Sequence, residues 1–134
     1  MNATKDKISP KKYLCQIEYC SNLISQKKAE KEAVKHDIEG LTGNEYIEKM
    51  KQLECKIGEE IVQLANERHR IISEIQSLTK RKHVEILHER YVRLKSLMEI
   101  AVEKNYTYDY VKKLHGYALV EFGNKVLKSQ EKEK

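Results

Sequence analysis

Between residues 13 and 38, apolar or small side chains recur at alternating steps of four and three: Tyr13, Ile17, Cys20, Ile24, then Val34 and Ile38. Those steps place them on one face of an α-helix. Ser9 followed by Pro10 supplies a start, a capping hydroxyl with proline at the first helical position. Gly40-Leu41-Thr42-Gly43 supplies the stop. A helix from Lys11 to Glu39 is about 43 Å long at 1.5 Å per residue. The same register carries Lys27 and Lys31, which predicts a middle that packs loosely or faces water.

A stronger seam follows, starting from Asn44 as a cap: Ile47, Met50, Ile57, Ile61, Leu64, Ile71, Ile75 and Leu78, interrupted by Glu54 and Arg68. This is a heptad-type repeat, widened by Leu53, Ala65 and Ile72. The short break between the two segments predicts an antiparallel helical hairpin, coiled-coil-like, over residues 11–82. Two helices alone bury too little to be stable, so the seams are expected to associate a second copy into a homodimer. The simpler alternative is that they pack on the rest of the same chain. A polar seam residue such as Arg68 is suited to setting register and oligomeric state. The run Lys80-Arg81-Lys82-His83 reads as the C-terminus of this second helix, where cations complement the macrodipole. The other reading is a phosphate-contacting hinge.

From residue 83 the pattern changes to shorter segments. Ile86, Leu87, Tyr91 and Leu94 make a first apolar face. Leu97 to Val102 is too short for more than two turns, and Asn105-Tyr106 breaks it. Thr107 is a natural N-cap for a third segment with an apolar face of Val111, Leu114, Ala118, Leu119 and Phe122. A short helix, a tight turn and a capped longer helix is the helix-turn-helix layout. The fold expected is all-α: the long hairpin, then a C-terminal helix-turn-helix domain over residues 83–128. Residues 1–10 and 129–134 are expected to be disordered.

The spacing of Arg90-Tyr91, of Ser96 with Glu99-Ile100-Ala101, and of Thr107 with Val111 and Ala118-Leu119 resembles region 4 of bacterial sigma factors. As a whole the chain is similar to small phage and prophage proteins related to late-transcription regulators of the RinA and ArpU type. The resemblance implies a DNA-binding transcriptional regulator that reads double-stranded DNA through its third C-terminal helix, and it leaves RNA polymerase open as a second partner. It assigns Thr107, Tyr108, Asp109, Lys112 and Lys113 to the DNA face, with Tyr110 and His115 at the flanks. Lysines can pair with phosphates or guanine edges, and Asp109 can accept from a cytosine amine. Three departures stand out. The helix carries no arginine, Lys95 sits where the family has a turn glycine, and Gly116 lies inside the helix.

Composition narrows the picture in a few places. A single proline, five glycines and 35% charged residues describe a nearly all-helical chain. The net charge of +5 is spread thinly and forms no basic stripe. Cys15, Cys20 and Cys55 are odd in number and lack CxxC spacing, so reduced thiols and no zinc site are expected. No apolar run reaches the roughly 20 residues a membrane span needs, and the first nine residues lack a signal core, so a cytoplasmic, non-membrane protein is expected. No phosphate loop, nucleophile elbow or HExxH occurs. His83 and His88 would point about 140° apart on one helix. Neither an enzyme nor a cofactor is expected. Two other functions fit the same layout: a phage small terminase subunit, and a coiled-coil protein-interaction adaptor without DNA binding.

Overall fold

A computed structural model describes residues 8–128 of the chain. Of the disorder expected for residues 1–10 and 129–134, residues 1–7 and 129–134 lie outside the described residues, whereas Pro10 already belongs to a helix. Every element within them is helical and none is a strand: α1 (Pro10–Glu39), α2 (Asn44–Gln76), α3 (Arg81–Leu87), α4 (Leu97–Lys104) and α5 (Tyr108–Phe122). Two wider, π-type turns prolong them, His88–Val92 after α3 and Gly123–Leu127 after α5. The Ser9 hydroxyl accepts from the Lys12 amide at 3.1 Å, so α1 starts on a side-chain cap with proline as its first residue. The glycine-bounded segment 40–43 separates α1 from α2.

The chain packs as two compact units. One comprises the residues up to Glu18 together with those from Arg70 onward, and the other is Tyr19–His69. The boundary expected from sequence, between residues 82 and 83, falls elsewhere. The reason lies in burial: Tyr13, Leu14, Ile17, Ile71, Ile75 and Leu78 belong to the same apolar cluster as Ile86, Leu87, Ile100, Val111 and Phe122. Phe122, the chain's one phenylalanine, is fully buried, with its ring 5.7 Å from that of Tyr13. The Tyr13 hydroxyl in turn donates to Glu74 at 2.6 Å and accepts from Arg70 at 2.9 Å.

The Tyr19–His69 unit has a thin apolar interior of Cys20, Ile24, Val34 and Ile57. Its polar seam positions answer one another: Arg68 reaches Ser21, Lys27 meets Glu60 at 3.0 Å, and Lys31 meets Glu54 at 3.6 Å. Partners fall in opposite order along the two segments, so these run antiparallel. The lysines that the α1 register placed on the seam are therefore paired with carboxylates from α2. These half-exposed pairs contribute little stability but penalise a shift of register. A Cβ on Gly58 would lie 3.3 Å from Lys31 Cε, a close contact that the flexible lysine stem could relieve by a small shift.

Two expectations need correction. Lys80-Arg81-Lys82-His83 does not end a helix; it begins one, because α2 stops at Gln76 and Lys80 is the N-cap of α3. Cations at that end oppose the macrodipole, and the side chains find other partners: Arg81 pairs with Glu85 at 3.3 Å, and Lys82 reaches Tyr110. Leu94 does not extend the buried face of Ile86, Leu87 and Tyr91. It sits in the turn after the π-type segment with φ 60° and is 48% exposed. A helix that widens before it ends rotates the residues that follow away from the straight helical register.

Candidate nucleic-acid interface

The connection into α4 is tied at several points. The Lys95 amide donates to the Glu89 carbonyl at 3.0 Å, and the Lys95 ammonium bridges Glu89 and Glu103, each at 2.6 Å. The hydrogen bonds to Glu103 and Glu89 hold the Lys95 pKa above its ordinary value, and the bond from Lys95 holds that of Glu89 below the usual carboxylate range. Ser96 and Glu99 then form a capping box, in which the Ser96 hydroxyl accepts from the Glu99 amide and the Glu99 carboxylate accepts from the Ser96 amide. Those bonds keep the Glu99 carboxyl ionised to lower pH than usual.

Helix α4 ends in a left-handed residue, Asn105, at φ 60° and ψ 38°, a conformation that asparagine tolerates better than other residues with a β-carbon. The Tyr106 amide closes back on the Ala101 carbonyl at 2.9 Å. Thr107 then caps α5, its hydroxyl accepting from the Tyr110 amide at 3.1 Å. Val111, Ala118 and Phe122 are buried on the inner face of α5, with Leu114 and Leu119 half-buried beside them. These inward residues fix which side of α5 is left outside.

The residues assigned to the DNA face are distributed as follows. Thr107, Tyr108, Asp109, Tyr110, Lys112 and Lys113 are exposed over the first turns of α5. The Lys112 ammonium lies 5.0 Å from the centre of the Tyr108 ring. Tyr110 meets Tyr106 edge-on at 4.9 Å. From α3, Lys82 joins this pair: its ammonium donates to the Tyr110 hydroxyl at 3.2 Å, a bond that raises its pKa. A lysine of the basic run thus stands beside the capped end of α5. Sequence reasoning offered the run a phosphate-contacting hinge as its second reading but did not place Lys82 beside Tyr110, because residues 82 and 110 meet only through the packing of α3 on α5.

His115 lies apart from the others. It is half-buried, with Nε2 2.9 Å from the hydroxyl of buried Tyr91. Burial depresses its pKa, with Arg90 and Lys11 acting in the same direction, so the ring favours its neutral form within hydrogen-bond distance of the Tyr91 hydroxyl. Burial also pushes the Tyr91 pKa up to about 12, which keeps the hydroxyl protonated. On another side of α5, buried His83 places Nδ1 2.6 Å from Glu121, which also accepts from the Thr79 amide and hydroxyl. Burial acts to raise the Glu121 pKa, but the bonds from His83 and Thr79 outweigh it and the net shift is downward. The sequence held one clue to these pairs, polar residues at inward steps of the helix, but not their partners.

The exposed side of α5 continues past its first turns into Gly116, Tyr117 and Val120. Tyr117 and Val120 line an open groove of about 510 Å³ with Lys80, His83, Glu121, Asn124 and Lys125. Among the described residues, no helix is long and apolar enough to cross a membrane. No protein-family profile, curated protein or solved structure matches the chain.

Proposed function

We propose that the chain is a DNA-binding transcriptional regulator, of phage or prophage type, whose α4–turn–α5 segment is a helix-turn-helix that lays α5 in the major groove of duplex DNA. The observation that carries this reading is the pairing of a rigidly capped, short two-helix turn with an outward face of Tyr108, Asp109, Lys112 and Lys113. Lys82 adds a third cation from a neighbouring helix, at the end of α5 that enters the groove first. Lysine and tyrosine hydroxyl groups position a protein on phosphates, and Asp109 and Lys112 can reach base edges. An arginine-free reading helix binds modestly as a single copy. The antiparallel front helices therefore serve as the device that pairs two readers. In favour of that pairing, the Tyr19–His69 unit leaves Tyr19, Tyr46, Leu53 and Val62 exposed over its thin interior.

A salt titration of binding to labelled duplex tests the reading. Affinity should fall with salt, and Lys112→Ala or Lys113→Ala should each reduce the log–log slope by about one. Absence of binding at low salt overturns DNA recognition. Sedimentation of the full chain should give a dimer, and a monomer at micromolar concentration removes the pairing role.

A further inference from the structure

Of the chain's glycines, Gly116 stands in a different situation from the rest. Gly40 and Gly43 flank a helix break, a Cβ on Gly58 would lie 3.3 Å from Lys31, and one on Gly123 would lie 3.1 Å from Pro10. Gly116 sits in the middle of α5, where a glycine destabilises relative to alanine. Its backbone does not call for it, because no glycine among the described residues has positive φ. Packing within the chain does not call for it either, since a Cβ built there meets nothing within 4 Å.

Its position on the helix is informative. At 100° per residue, Gly116 lies between Lys112 and Val120 on the outward side, opposite the buried Val111, Ala118 and Phe122. Lys112, Lys113, Tyr117 and Val120 surround it and are all exposed. A missing side chain there opens a notch in the outer face, about one C–C bond of 1.5 Å deep, with the exposed Lys112 and Lys113 one turn before it. An anionic surface is the occupant that this charge selects. A sugar–phosphate strand or base edge can come close to backbone at a glycine, as it cannot at a residue with a Cβ.

We infer that Gly116 is the point of closest approach between α5 and duplex DNA, setting how deeply the helix seats in the major groove. This rests on the proposed DNA-binding function and extends it to a position that makes its contribution by lacking a side chain. The consequence is an opposition between stability and binding at one residue. Alanine at position 116 improves the free protein, because it adds helix propensity without a clash, and it holds the DNA away.

The test compares the full-length wild type, Gly116→Ala and Gly116→Gln for thermal melting and for binding to a fluorescein-labelled mixed-sequence duplex at low salt. Both variants should melt higher, the alanine variant by roughly 5 °C. The alanine variant should bind the duplex about fivefold more weakly, and the glutamine variant more than tenfold more weakly. Variants that melt higher yet bind as the wild type does overturn the close approach while leaving DNA binding intact. A variant that melts lower overturns the premise that nothing inside the chain needs this glycine. A wild type that fails to bind the duplex removes the function on which the inference rests, and is recognised by that failure before any variant is compared.

Discussion

At the scale of single residues, the C-terminal part of the chain packs two histidines against different sides of its core, the half-buried His115 and the buried His83. His115 meets the Tyr91 hydroxyl, and His83 meets Glu121. For His115 the sign of the pH effect follows from its depressed pKa: the folded chain favours the neutral ring, while the unfolded chain protonates near 6.5. Its contribution to stability is therefore complete above that pH and is lost as pH falls below it, until the folded form also takes up the proton. Glu121 acts in a separate, lower window, because a carboxyl with a depressed pKa loses its contribution only as pH falls below 4.5. His115→Gln retains a hydrogen-bonding group for the Tyr91 hydroxyl but cannot titrate. Chemical denaturation across pH should show the upper part of the acid-induced loss flattened in this variant and the part below 4.5 unchanged. An unaltered profile would mean that His115 is not the group responsible.

At the scale of elements, the turns were legible in the sequence to very different degrees. The glycine-bounded stop at 40–43 and the start of α5 at Thr107 could be read directly, because glycine and a capping hydroxyl act on their own neighbours. The inner face of α5 could be read for the same local reason, through its helical steps. The end of α2 could not: Ser77-Leu78-Thr79 contains neither glycine nor proline, and the cations that follow are good helix formers. What fixes that break is distant, the two bonds from Thr79 to Glu121 and the bond from Lys125 to the Ser77 carbonyl. Leu94 was illegible too, since nothing local announces a left-handed leucine. That conformation costs about 1–2 kcal/mol for a residue with a Cβ, and its half-exposed side chain gives only part of this back. Leu94→Asn should accordingly stabilise the chain by about 0.5–1 kcal/mol in urea unfolding. A destabilised variant would show instead that the apolar contacts of Leu94 outweigh the strain of its backbone. The candidate DNA face divides in the same way: local helical steps place Tyr108, Asp109, Lys112 and Lys113 outside, whereas Lys82 and His115 have positions that depend on tertiary packing.

At the scale of the whole molecule, the compact unit that holds the candidate interface is assembled from both ends of the described chain. Leu14 is fully buried in the same cluster as Val111 and Phe122, although it lies on the first helix. Leu14→Ala should cost about 2–5 kcal/mol and should weaken amide protection in α4 and α5 as well as in α1, as hydrogen exchange would register. Protection lost from α1 alone would mean that α4 and α5 hold together without it. The same arrangement sets an order of events in folding. Tyr13 and Glu74, bonded to each other, are separated by 61 residues, so the two flanks of this core meet only after a long loop has closed. While the chain is being made, Tyr13, Leu14 and Ile17 emerge before the residues that cover them, Ile71 and Ile75 first and Phe122 and Val126 after them. An apolar helix face left waiting in that way invites chaperones or another nascent copy. The cover that Phe122 and Val126 give this face therefore arrives after the cover that Ile71 and Ile75 give it.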